Sequence, residues 1–167
     1  MKNIHLIPTE NPSRLFKDDF GKYFISINID QEQNHFTPQN IYITNSEEIK
    51  EGDSIFETDT NTINVAGKDY VENEVDFKII LTTDQDLIKN GVQAIDDEFL
   101  TWFVKNPTCE EVYITNDYEQ VNQDNPITRG STNVFHKYKI IIPSEPKQAW
   151  KWLHDEFQEN WTIKKIN

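Results

Sequence analysis

Asp96, Asp97 and Glu98 stand directly before the apolar run FLTWFV. Clustered carboxylates of this kind can hold a divalent cation or share acid–base work, but either job needs further ligands or a basic partner within reach. No spacing in the surrounding sequence supplies them. An architectural role accounts for every residue. With Asp96 as N-cap, Asp97 and Glu98 occupy the first turn of a helix running to about Lys105, where free N–H groups and the helix dipole favour negative charge. Phe99, Leu100, Phe103 and Val104 then share one face with Trp102 on its flank. Asn106-Pro107 ends the helix, because a residue before proline avoids the helical region. The spacing predicts a core helix rather than a catalytic cluster.

Asp76-Phe77-Lys78 is the second candidate. On a strand it sets a carboxylate and an ammonium on one side, like the D-x-K half of some metal-dependent nuclease sites, with Asp53, Asp59 or Asp69 as an upstream acid. Among 29 acidic residues in 167, such a pair arises readily by chance. His5, His35, His136 and His154 are scattered, without the i, i+4 spacing of a helical metal site. Cys109 sits beside Glu110 and Glu111, which disfavour the thiolate. As the only cysteine it allows neither an intrachain disulfide nor a cysteine-based metal centre. Phosphate-loop, dinucleotide and nucleophile-elbow motifs do not occur, and five glycines leave little material for a phosphate cradle. The residues therefore specify no catalytic group, no metal and no cofactor.

The elements that would position these residues read mostly as strands. Ile4–Ile7 is a short first strand, and 23–29 alternates apolar and polar residues from Ile25 onward. Ile41–Thr44 follows, 53–66 reads as a hairpin entered at the Gly52-Asp53 turn and reversed at DTNT, and Phe77–Thr82 has the strongest β-propensity. Asp84 caps a short helix, Gln85 to Asn90, with Gly91 just past its end. After the core helix, 109–115 and 134–142 read as strands joined by a polar excursion at 116–133. Pro143 stops the last strand, and Ser144 opens a C-terminal helix near 145–160. In AWKWLHDEFQENW, Ala149, Trp150, Leu153 and Phe157 form a stripe extended by Trp161, with Trp152 on its edge. The expected fold is α+β, a mostly antiparallel and barrel-like sheet in one domain over 1–143, with the aromatic helix of 144–167 packed on it or used for interaction.

The formal net charge of −13 disfavours passive attraction to phosphate backbones or anionic lipid. It suits docking on a basic protein surface. The N-terminal MKNIHLIPTENPS has no signal-peptide pattern and no apolar run reaches spanning length, so a cytosolic location is expected. A basic patch of Arg129, Lys137 and Lys139 is the only support for a small barrel-like nucleic-acid reader built on EGDSIFET.

The blocks MKNIHLIPTENPSRLF, NIYITNSEEIKEGDSI, KIILTTDQDLIKNGVQAIDDEFLTWFVKNPTCEEV and YKIIIPSEPKQ resemble a family of small, functionally unassigned Bacteroidetes proteins, flavobacterial above all, and of their phages and prophages. They cover somewhat over half the chain, whereas 17–39 and 116–133 depart from the family pattern. The resemblance implies a phage-type anti-defence protein, in the manner of anti-CRISPR inhibitors, acting on a host protein in the bacterial cytosol. The expected partner is a Cas effector or its guide RNA complex. Trp150, Trp152, Phe157 and Trp161, with Asp117 and Glu119, are the expected contacts. The alternative is a metal-dependent nucleic-acid-processing enzyme using Asp76 and Lys78.

Overall fold

The computed structural model describes residues 2–26, 35–71, 73–121 and 133–142, with backbone alone for 117–121 and 133–136. The elements in order are β1 (Ile4–Pro8), β2 (Leu15–Asp18), β3 (Tyr23–Ile25), β4 (Phe36–Asn45), β5 (Ser54–Glu57), β6 (Thr62–Val65), β7 (Asp76–Thr82), α1 (Gln85–Lys89), β8 (Gln93–Ala94), α2 (Asp97–Lys105), β9 (Tyr113–Val121) and β10 (Asn133–Ile141). Strands dominate and nearly all pair antiparallel, with two helices among the described residues. None of the described helices is long and apolar enough to cross a membrane. The helix expected near 145–160 lies outside the described residues.

The main sheet runs β3-β2-β4-β7-β5-β6, with β1 added to β4 and β8 to β7, and β9 and β10 form a separate two-stranded ribbon. It is open, which corrects the barrel-like expectation. Closure would require the edge strands β3 and β6 to pair. β6 is four residues long and largely exposed, with Ile63 alone packed against a core and its outer edge paired to no described strand. Two strands were not expected at all: β2, and the parallel two-residue β8. β4 begins five residues earlier than anticipated, and β9 and β10 reach 121 and 133, so residues 116–121 and 133 of the supposed 116–133 excursion are paired ribbon.

β7 is the pivot of the sheet. Its register with β4 slips between Ile43 and Thr44, which face Leu81 and Ile79, so Ile80 is an inserted residue. A bulge of this kind breaks the two-residue side-chain period. Ile80 and Leu81 therefore both join the larger core, built with Ile4, Ile43, Phe99 and Phe103, while Ile79 joins a smaller one with Tyr42, Phe56 and Leu87. α2 and the β9–β10 ribbon contribute to the larger core and α1 to the smaller.

α2 spans the predicted residues, with the Asp96 side chain accepting from the Phe99 N–H at 2.7 Å. Phe99, Leu100 and Phe103 are buried. Asp84 caps α1 as expected, and Gly91 follows that helix at φ +103°, a conformation that favours glycine.

Candidate functional site

The acids that opened the sequence question are occupied structurally. Asp97 pairs with Arg14 on the surface, and that partner holds its carboxyl below the usual range. Asp76 and Lys78 do project to one side of β7, but they take different partners. The Tyr70 hydroxyl donates to Asp76 Oδ2 at 2.7 Å, whereas Lys78 Nζ lies 2.9 Å from Asp53 Oδ2. Of the upstream acids considered, Asp53 is the one brought to Lys78. No group of three or more His, Cys, Asp or Glu side chains able to hold a metal comes together among the described residues.

His5 is buried, stacked on Phe56, with Nε2 3.2 Å from Thr44 Oγ1. His35 pairs with Asp19 on the surface. Cys109 donates to the Glu111 carbonyl, and burial, more than its acidic neighbours, raises its pKa. Lys137 and Lys139 are exposed on β10, and Arg129 lies outside the described residues. So do Trp150, Trp152, Phe157 and Trp161. The backbone of β9 carries Asp117 opposite Lys137 and Glu119 opposite Phe135.

What the structure does bring together is a cleft of about 600 Å³ beside β7. Its cause lies in the sheet. One edge of β7 is shared end to end by two short strands, β5 opposite Asp76–Lys78 and β8 opposite Leu81–Thr82. Neither register includes Ile79 or Ile80, and both residues line the cleft. Val92 adds apolar surface from the turn after α1, and the loop before β5 supplies Glu47, Glu48 and Lys50. Asp53 and Lys78 face each other across the cleft lining, each side chain 22% exposed.

Tyr138 of the ribbon forms the remaining wall. Its hydroxyl donates to Glu47 Oε2 at 2.8 Å, while Asn116 Nδ2 donates to Glu47 Oε1 at 3.2 Å. Burial, reinforced by this carboxylate, pushes the Tyr138 hydroxyl pKa well above its ordinary value. Glu47 is thus an acceptor fixed in place by two donors from the ribbon. Sequence reading missed this site because it depends on segments 47–54 and 78–93 together with Asn116 and Tyr138 of the ribbon, and on no local motif. The one legible hint was that Lys78 could meet an upstream acid, with Asp53, Asp59 and Asp69 as the alternatives.

Compared with protein-family models, with curated proteins and with solved structures, the chain finds no match.

Proposed function

We propose that the chain is a non-enzymatic, phage-type anti-defence protein that binds and inhibits a host protein through an acidic surface, with a CRISPR-Cas effector as the specific target. The observation that carries this reading is the placement of charge. Ten acidic residues and two lysines lie between Glu47 and Asp76. That segment builds β5, the edge strand β6 and the loops around them. Glu48, Glu51, Asp59, Asp69 and Glu74 are all exposed there. A dense negative field steers diffusional encounter with a basic face and repels free nucleic acid. In this reading the protein acts in the host cytosol, and Trp150, Trp152, Phe157 and Trp161, which lie outside the described residues, supply further contacts.

The test is direct binding of the purified full chain to Cas effectors from flavobacterial hosts, free and guide-loaded, at low and physiological salt. Association should weaken steeply with salt and be lost when Glu51, Asp59 and Asp69 are changed together to lysine. Absence of binding to every effector at low salt would overturn the reading.

A further inference from the structure

We propose that the cleft beside β7 receives a lysine or arginine side chain of the partner protein, a proposal that rests on the acidic-surface reading and gives it a point of insertion. A basic side chain has two unlike parts, an apolar stem and a cationic head, and binds best where both are matched. The cleft offers both. Val92 lines it with half-buried apolar surface, beside the stretch of β7 edge at the buried Ile79 and Ile80 that β5 and β8 leave uncovered. Glu47 and Glu48 stand at the same cleft as acceptors.

Glu47 is pre-oriented, because Tyr138 and Asn116 each hold one of its oxygens. A carboxylate oxygen has a second lone pair, so both can still accept from the fork of a guanidinium. Ordering that carboxylate in advance removes part of the entropy cost of binding. Lys78 does not cancel this preference, since its ammonium is already engaged by Asp53. Lys50 meets Glu48 only at 3.8 Å between two well-exposed side chains, a contact that water readily replaces. An anionic group would enter against both these carboxylates and the field of a chain carrying −13.

The experiment is a two-dimensional amide NMR titration of the full chain with agmatine, and with a capped Gly-Arg-Gly peptide beside its citrulline counterpart. Agmatine and the arginine peptide should give saturable shifts centred on Gly91, Val92, Gln93 and Tyr138, and the uncharged citrulline peptide should not. Glu47→Gln should weaken binding by about tenfold, the loss expected for one charge-assisted bidentate contact. Glu48→Gln, an exposed site that cannot disturb the fold, should weaken it less. Shifts spread over the acidic edge, no shifts, or affinities untouched by both variants would overturn the proposal. The outcomes separate the two readings. Effector binding with a silent cleft leaves the acidic-surface reading standing and sinks this one; a cleft that binds arginine in a chain that captures no effector does the reverse.

Discussion

Gln93 pairs with Tyr138 as if it were a strand residue. Its Nε2 donates to the Tyr138 carbonyl at 2.7 Å, and its Oε1 accepts from the Tyr138 N–H at 2.9 Å. Asn3 does the same to Val112, donating and accepting at 2.9 Å. The ribbon of β9 and β10 belongs to a separate sheet, so these two carboxamides replace the backbone ladder that would otherwise tie it to the main one.

It follows that Gln93→Ala should loosen the ribbon selectively. The change leaves a half-buried N–H and C=O of Tyr138 without partners, a loss of about 1–3 kcal/mol. Hydrogen exchange should show amides of Ile114–Asn116 and Tyr138–Ile140 losing protection while those of β4 and β7 keep theirs. Uniform loss of protection would mean that ribbon and sheet open as one unit.

Acidification should destabilise the fold through His5. Burial, with a smaller contribution from Lys2, lowers its pKa from 6.5 to about 4. The folded state thus prefers the neutral ring, so the unfolded chain binds more protons wherever the pH lies between those values. Stability is then full above pH 6.5 and falls as the pH drops toward 4, by about 2 kcal/mol at pH 5. Urea denaturation at pH 7 and pH 5 should show this slope in the native chain. In His5→Phe, which keeps a ring stacked on Phe56, most of the slope should vanish.

The acids before α2 should behave as caps of unequal weight. Asp96→Ala removes the acceptor of the Phe99 N–H and should cost about 1 kcal/mol. Glu98→Gln should be silent in thermal denaturation, and Asp97→Asn nearly so, because its pair with Arg14 is solvent-exposed. Equal losses at all three positions would contradict a capping role confined to Asp96.

Elements governed by local rules were legible in the sequence. Asp96 and Pro107 bracket α2, and Asp84 and Gly91 bracket α1, each through capping or backbone chemistry that acts within a few residues. Elements governed by partners were not. Pro38 argues against a strand, yet it sits in β4 opposite Phe16 of β2, with its carbonyl turned to the Thr9 N–H where the β1 register has already ended at Gln39, so its missing N–H costs no ladder bond. The Ile80 bulge hides the change of face within β7, and β8 exists only because β7 offers it an edge. The cleft inherits this illegibility. Lys78 could be matched to an acid by type, but choosing Asp53 over Asp59 or Asp69 required the turn that brings the Lys50 N–H to 2.8 Å from Asp53 Oδ2.

The Asp53–Lys78 pair should contribute less than the damage done by breaking it. Both side chains are 22% exposed, so either one left alone keeps a partly desolvated charge beside the Ile79–Ile80 wall. Asp53→Asn keeps an oxygen for the Lys50 N–H and isolates the Lys78 ammonium, which should cost about 2 kcal/mol. Lys78→Met retains an apolar stem of similar length and leaves Asp53 its backbone donor, so its cost should be smaller. Combining the two removes both charges together, and the double variant should regain about 1 kcal/mol relative to the sum of the singles. A double-mutant cycle from urea denaturation measures that coupling. Strict additivity would show a pair already screened by water in the cleft, and the lysine would then be free to turn toward an incoming group.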